Sequence, residues 1–248
     1  MKAFQSARPE LTTSPGMITL LLATRNAHKV AEIQTILGPS FGYLSLKDFS
    51  NPPEVIEDAS TFAGNAMKKA VVLADWISKT LSAPNRNGLS SFVLADDSGL
   101  EVDALQGAPG VYSARYAGLD SGSAGNSSDA DNRTKLLRLL CHVPEEKRTA
   151  RFRCVLALTP IMNEITRSAS PVCYANEVEL ETELFEGACD GSIAASARGE
   201  AGFGYDPLFI PIGFQTTFAE MSDEAKNHLS HRARALAQLK HKLTQVEK

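Results

Sequence analysis

Two adjacent carboxylates, Asp96 and Asp97, end an apolar run in the segment VLADDSG at residues 93–99. Carboxylates about 4 Å apart repel by roughly 4 kcal/mol at an effective dielectric near 20, so a shared site needs positive charge. Successive strand residues point to opposite faces, and we expect Ser98-Gly99 to turn the chain and bring the acids together. A divalent cation would then neutralise them, and an all-oxygen site beside phosphates favours magnesium. A plain Asx turn is the alternative for this segment alone.

A second polar segment, TRNAHK at residues 24–29, follows the apolar run MITLLLA. The sequence predicts that a strand ends here and that a helix begins near Ala27. Amides at a helix start are unpaired donors at the positive end of the macrodipole, so they bind phosphate. Lys29 adds a full positive charge in the first turn. Helix capping by Asn or Thr is the alternative, and the paired glycines of a Walker motif are absent.

Glu57 lies just before a second predicted helix, and Asn65 and Lys69 stand four residues apart on that helix. Residues at this spacing project from one side of a helix. Lys69 borders the apolar stripe, so the sequence predicts that its ammonium group lies near the rim of the sheet. A solvated surface lysine is the alternative when this position is considered alone.

The glycine-rich segment GEAGFGYDPLF, residues 199–209, contains Phe203 and Tyr205 and closes on Asp206-Pro207. An aromatic ring in such a turn can stack on a nucleobase while the exposed backbone reads the edge of the base. A loop aromatic that covers the core is the alternative. The polar side of the last predicted helix carries polar and basic residues: Lys226, Asn227, Ser230 and His231, with Arg232 beside them. A solvated helix face is the alternative to a binding role for these residues.

Composition narrows the class of protein. The 248 residues carry a net charge of -4 and give a pI near 5.8, which excludes the overall basic field of a nonspecific nucleic-acid binder. The four cysteines lack metal-ligand or redox spacing. No apolar stretch approaches the roughly 20 residues of a membrane helix, and residues 1–16 lack the apolar segment of a secretory signal. We expect a cytoplasmic protein that binds neither nucleic acid nor membrane, with a flexible extension at 1–16 and one domain at 17–248.

The elements that must position these residues alternate between strand and helix early in the chain, and antiparallel-looking strands come later. This order predicts an α/β fold around a mixed sheet. A mobile, structureless loop is predicted at 118–131. Strands are predicted at 17–23, 91–96, 151–158 and 176–185, and helices at 27–37, 60–77, 132–140 and 223–246, the last being the longest.

Together these segments resemble the inosine triphosphate pyrophosphatase family of the Ham1 type. The resemblance runs from about Met17 to about Leu239 and rests on five ordered motifs: TRNAHK, EDASTFAGNAMKKA, LADDSGLEVDALQGAPGVYSARYAG, GFGYDPLF and TFAEMSDEAKNHLSHRARAL. It implies an elongated, two-lobed α/β fold around a central mixed sheet with flanking helices. It also implies a homodimer that hydrolyses the purine nucleoside triphosphates ITP, dITP and XTP to monophosphate and pyrophosphate with magnesium.

The resemblance also implies roles for individual residues. Asp97 is the proton acceptor and Lys69 meets phosphate oxygens as a second catalytic group, while Glu57 and Asp97 organise the metal. Asp96 is implied either to support the metal ligands from behind them or to make a secondary metal contact. The residues implied to bind substrate are Thr24, Arg25, Asn26, Ala27, His28 and Lys29 at the triphosphate, Ser98, and Phe203, Gly204, Tyr205 and Asp206 around the base. Lys226, His231 and Arg232 are implied to complete the base and phosphate pocket.

Two other functions remain open from the sequence. A Maf-type nucleotide pyrophosphatase would act on pyrimidine or methylated nucleotides, and the Ser-His-Arg segment at 230–232 and the GFGYDP loop argue against it. A catalytically silent, nucleotide-binding regulatory protein would keep the site as a sensor. The presence of Glu57, Lys69 and Asp97 argues against that function.

Overall fold

The computed structural model describes residues 17–80, 91–122, 125–161 and 181–246. Six strands form one mixed sheet in the order β2-β1-β3-β4-β5-β6, and helices flank it. The strands are β1 (Thr19–Leu22), β2 (Gly42–Ser45), β3 (Ser91–Val102), β4 (Thr149–Pro160), β5 (Glu183–Ile193) and β6 (Phe209–Pro211). The helices are α1 (Ala27–Leu37), α2 (Phe62–Thr80), α3 (Asp129–Leu139), α4 (Asp223–Leu229) and α5 (His231–Val246). The predicted α/β fold with a mixed sheet is confirmed.

The chain divides into two compact units. The first contains the described residues of 1–59, 63–96 and 157–184, and the second contains those of 60–62, 97–156 and 185–248. In the first unit β1 pairs in parallel with both β2 and β3. Strand β1 is a buried apolar run, and α1 and α2 bury one apolar face each, as a helical repeat of apolar residues requires. The buried residues of these helices include Ile33, Leu37, Ala66, Ala70, Leu73 and Ile77.

The second unit is built around an aromatic core. Phe209 lies 4.7 Å from Phe152 and 5.1 Å from Phe218, measured between ring centroids. Strand β5 pairs antiparallel with β6. Helix α5 approaches β5 closely at Gly187, where a Cβ atom would lie 2.1 Å from the carbonyl oxygen of His231. Only glycine permits this contact, which fixes the position of the first residue of α5.

The predicted turn at Ser98-Gly99 is wrong, because β3 continues through both acids to Val102. Asp96 and Asp97 are therefore successive strand residues and project to opposite faces. Gly99 does not form a turn; it allows the segment around residues 110–113 to approach β3 closely. A Cβ atom there would lie 2.5 Å from Ser113 Oγ and 2.6 Å from the carbonyl oxygen of Gly110.

The predicted single helix over 223–246 is also wrong. Ser230 adopts an extended backbone with φ -66° and ψ 157°, ends α4 and separates it from α5. Its side-chain oxygen then accepts a hydrogen bond from the amide of Ala233 at 3.2 Å. With 19 residues, α2 is longer than either piece. The break directs Lys226, Ser230, His231 and Arg232 into the interior, where all four are buried.

The segment 118–131 contains regular structure, contrary to the prediction. A 3₁₀ helix spans Ala117–Asp120, and α3 begins at Asp129, three residues before its predicted start. The amide of Gly118 donates to Ser127 Oγ at 2.9 Å. Part of the predicted strand at 176–185 lies outside the described residues, and β5 begins at Glu183. The predicted extension at 1–16 also lies outside them.

Candidate active site

The first unit gathers two lysines and two carboxylates. Lys69 Nζ donates to Glu57 Oε2 at 3.0 Å and to the backbone carbonyl of Asp96 at 2.7 Å. Lys29 Nζ forms a salt bridge with Asp96 Oδ1. The contact with the backbone of β3 confirms that Lys69 reaches the sheet. These four residues, called here the lysine–carboxylate cluster, carry no net formal charge.

Asn26 caps the first turn of α1. Its Oδ1 accepts hydrogen bonds from the amides of His28 at 2.9 Å and Lys29 at 3.2 Å. Its own amide donates to Thr24 Oγ1 at 3.1 Å. Two of the amides predicted to bind phosphate therefore already have a partner, and the capping alternative describes this conformation. Residues 25–28 are exposed, so their side chains and Lys29 remain accessible to an anion.

Asn65 fixes the segment that carries Glu57. It is 1% exposed, and its Oδ1 accepts from the amide of Ala59 at 2.9 Å. Asn65 Nδ2 has no hydrogen-bond partner among the described residues. The residue thus ties the chain before α2 to the helix, and it holds Glu57 within reach of Lys69.

The second unit buries an ion pair beside an aromatic ring. Lys226 Nζ lies 2.7 Å from Asp206 Oδ2, and the two side chains are only 6% and 4% exposed. The same carboxylate oxygen accepts from the amide of Phe203 at 2.9 Å. Lys226 Nζ lies 4.9 Å from the centre of the Phe203 ring, and the Arg232 guanidinium lies 5.9 Å from it. Phe203 therefore faces two buried cations.

Arg232 and His231 are held by neighbours in the same unit. Arg232, 1% exposed, donates from Nη2 to Ser98 Oγ at 3.0 Å. The His231 ring stacks on Phe152 at 4.8 Å with an interplanar angle of 11°. Asp97, next to Ser98 on β3, is 7% exposed. The alternative of a solvated helix face does not describe these residues, since they are packed inside the unit.

Tyr205 anchors the glycine-rich loop. Burial raises the pKa of its hydroxyl, which therefore stays protonated at neutral pH. That hydroxyl donates to the backbone carbonyl of Ser113 at 2.9 Å. Tyr205 is thus a structural residue of the loop, and its ring belongs to the core around Phe209.

A protein-family model, described as the Ham1 family, matches residues 20–242. This chain belongs to the Ham1 family. A curated relative from Geobacter sulfurreducens, named dITP/XTP pyrophosphatase, is 48% identical over 225 residues, 90% of this chain and 96% of that protein. A relative of the same name from Desulforamulus reducens is 43% identical over 218 residues, 88% of this chain and 91% of that protein.

Solved structures of Ham1 proteins agree with this assignment. A HAM1 protein from Coxiella burnetii has 36% sequence identity and a TM-score of 0.69, and the match covers 92% of this chain and all of that one. A dITP/XTP pyrophosphatase from Mycobacterium abscessus also has 36% identity, with a TM-score of 0.60 over 90% of this chain and 98% of that one. The family resemblance drawn from the five motifs is confirmed.

In this Ham1 chain the predicted site residues fall into two groups. The first unit holds Thr24, Arg25, Asn26, Ala27, His28, Lys29, Glu57, Lys69 and Asp96. The second holds Asp97, Ser98, Phe203, Gly204, Tyr205, Asp206, Lys226, His231 and Arg232.

Within the described residues, no three His, Cys, Asp or Glu side chains form a group that could hold a metal ion. No helix in the described part of the chain is long and apolar enough to cross a membrane.

Sequence reasoning missed two side chains that contact the glycine-rich loop. Asp129 and Arg133, on α3, bind the backbone of Gly204. Because residues 118–131 were predicted to form a loop, Asp129 was not recognised as the first residue of a helix. A capping signal could have revealed it, because Ser128 accepts from the amide of Asp131 and pairs with its carboxylate.

Proposed function

We propose that this chain hydrolyses the non-standard purine nucleoside triphosphates ITP, dITP and XTP to the monophosphate and pyrophosphate. The observation that carries the proposal is Phe203 flanked by buried Lys226 and Arg232. An aromatic face can stack on a purine, and buried cations beside it favour a base with an oxygen at its edge. The names of the relatives support the same substrate class.

Base choice would follow from hydrogen-bond polarity. Lys226 and Arg232 are donors, which match the 6-oxo group of hypoxanthine and xanthine. Adenine presents a 6-amino group, and two facing donors cost about 1 to 3 kcal/mol for each group left unsatisfied. Guanine shares the 6-oxo group, so discrimination against it requires contacts at its 2-amino group.

Charge balance supports a metal in the reaction. The lysine–carboxylate cluster has no net charge, so a triphosphate bound at Lys29 and Lys69 would bring several negative charges without compensation. Glu57 has a side chain that is 34% exposed, which leaves carboxylate surface for a hard cation. Glu57 and Asp97 remain the ligands predicted from the family resemblance. When bound, magnesium would neutralise charge on the phosphates and the leaving pyrophosphate.

Asp97 would act as the general base. A water oxygen attacks the α-phosphorus, the bond from that phosphorus to the α–β bridging oxygen breaks, and pyrophosphate leaves with the bonding electrons. The carboxylate of Asp97 takes the proton of the attacking water. Lys29 and Lys69 would stabilise the charge that develops on the phosphate oxygens, so positioning and electrostatics supply most of the catalysis.

A panel of nucleotides tests the proposal. Purified protein is incubated with ITP, dITP, XTP, GTP, dATP and dUTP, with and without magnesium, and pyrophosphate and orthophosphate are assayed separately. We expect monophosphate and pyrophosphate from ITP, dITP and XTP alone, and only with the metal. Turnover of dUTP would instead favour a Maf-type pyrophosphatase. Binding of ITP without hydrolysis would favour the regulatory alternative and exclude the proposed catalysis.

Replacing Phe203 by Ala is expected to raise KM for ITP. Base–aromatic stacking contributes about 1–3 kcal/mol per base, so KM should rise by roughly 5- to 150-fold with a smaller change in kcat. Steady-state kinetics on ITP measures both. The matched control is Phe214→Ala, because Phe214 is 43% exposed and outside the predicted site. An unchanged KM in Phe203→Ala would remove this residue from the base site.

The homodimer and the cytoplasmic location stay predictions of the family resemblance. Light scattering of the purified chain would measure its oligomeric state. Fluorescence microscopy of the tagged full-length chain would show its location in the cell.

A further inference from the structure

Helix α3 holds both backbone polar groups of Gly204, which belong to two successive peptide units of the glycine-rich loop. The amide of Gly204 donates to Asp129 Oδ2 at 2.7 Å, and the carbonyl of Gly204 accepts from Arg133 Nη1 at 2.8 Å. Asp129 and Arg133 are four residues apart and share one side of the helix. These two side chains are called here the α3 clip.

The helix that carries the clip is itself anchored. Asn132, 2% exposed, accepts from the amide of Ala117 at 2.8 Å and donates to the carbonyl of Ala114 at 3.2 Å. Lys135 Nζ donates at 2.7 Å to both the carbonyl of Tyr116 and Asp120 Oδ1. Both anchoring side chains are buried, so α3 offers the loop a fixed support.

The loop needs that support at Gly204. This residue has φ +62°, and Gly202 has φ +75°, conformations that glycine adopts readily because it has no Cβ atom; glycine is also the residue whose backbone is least restrained. Phe203 stands between them. Its amide donates to Asp206, and the α3 clip holds the amide and the carbonyl of Gly204, the residue that follows the ring.

We propose that Asp129 and Arg133 are positioning residues that set the orientation of Phe203 for purine stacking. The inference rests on the proposed function, because it assigns the clip to the base site of that reaction. The hydrogen bonds from the clip to the loop end on the backbone of Gly204, so in this proposal the clip acts through the loop and not on a reacting atom. Losing it would weaken binding of the base, and the chemical step would be unaffected.

Kinetics on ITP separates positioning from a general structural role. Asp129→Ala and Arg133→Ala each should raise KM by about three- to tenfold and leave kcat within about twofold, since each loses one charge-assisted hydrogen bond. Asp129→Asn keeps an oxygen that accepts from the Gly204 amide, so it should stay within about twofold of the wild type. The control on the same helix is Arg138→Ala, whose side chain is 65% exposed and pairs with Asp120.

Coupling to Phe203 completes the kinetic test. In a Phe203→Ala background the clip has nothing left to position, so adding Asp129→Ala should change KM by less than about twofold. An additive rise in KM in the double variant would overturn the proposal. So would equal effects of Asp129→Ala and Arg138→Ala on KM.

Hydrogen exchange tests the clip without any nucleotide. In Asp129→Ala the amides of residues 202–206 should exchange faster than in the wild type, while those of β3 keep their protection. If the wild type fails to cleave ITP, the proposed function fails, and faster exchange in the loop would still support the clip. Unchanged exchange in these residues would overturn the clip even in an active enzyme.

Discussion

Replacing Asp97 by Asn is expected to lower kcat for ITP by about 10²- to 10⁴-fold, the usual contribution of a general base. The amide has nearly the same shape as the carboxyl group but cannot accept the proton of the attacking water. Asp97 lies within β3 and is 7% exposed, so a side chain of the same size should preserve its packing. Product formation from ITP with magnesium measures kcat, and thermal unfolding measures retention of the fold.

The matched control for Asp97→Asn is Glu101→Gln. It makes the same carboxyl-to-amide change four residues further along β3, where Glu101 lies 3.9 Å from Arg153 in a partly exposed pair. We expect kcat within about twofold of the wild type, because exposed ion pairs contribute little. Turnover by Asp97→Asn at the rate of this control would refute the role of Asp97 as the base.

Local patterns predicted β1, α1 and α2 of the first unit, whereas β2 was not among the predicted strands. The apolar run before TRNAHK became β1, and Asn26 caps α1 where the sequence placed the helix start. The apolar repeat after Ser60 became α2, and the position of Lys69 beside that repeat predicted its contact with the sheet. Each of these features depends on residues within a few turns of one helix, which a sequence pattern records.

The two failures have different origins. Ser98-Gly99 has the composition of a turn, yet the strand continues through it, and Gly99 meets Ser113 and the carbonyl of Gly110 too closely for any side chain. Ser230 breaks a helix that its apolar repeat would continue. Close approach between segments far apart in the chain leaves no periodic signal, so the course of β3 at Gly99 was not predictable. The break at Ser230 does have a local signal, because a Ser whose oxygen accepts from the amide three residues later is a helix N-cap.

Contacts between distant residues also explain why the burial of three polar residues near Ser230 was not predicted. Lys226, His231 and Arg232 have a composition typical of a solvated helix face. The break at Ser230 turns them inward. There Lys226 pairs with Asp206, His231 stacks on Phe152 and Arg232 donates to Ser98. Those partners lie between 20 and 134 residues away. Motifs indicated these residues as candidates for the site, but their burial and pairing required the structure.

Replacing Lys226 by Met is expected to destabilise the fold by about 3–5 kcal/mol, the usual cost of removing one partner of a buried ion pair. Methionine fills much of the volume of the lysine chain but leaves the Asp206 carboxylate without its nearest cation, 2.7 Å away. Burial of an uncompensated charge is costly. Chemical denaturation measures the free energy of unfolding, and ITP kinetics should show a raised KM because a donor to the base is lost.

Two further variants separate the buried charge from the loss of the lysine itself. Lys79→Met breaks an exposed pair with Asp75, in which the side chains are 58% and 39% exposed, and should cost less than about 1 kcal/mol. The double variant Lys226→Met/Asp206→Asn removes the buried charge and keeps an oxygen that accepts from the Phe203 amide. It should therefore recover part of the lost stability without recovering KM. If the double variant is no more stable than Lys226→Met, the destabilisation comes from lost packing of the lysine chain and not from the uncompensated carboxylate.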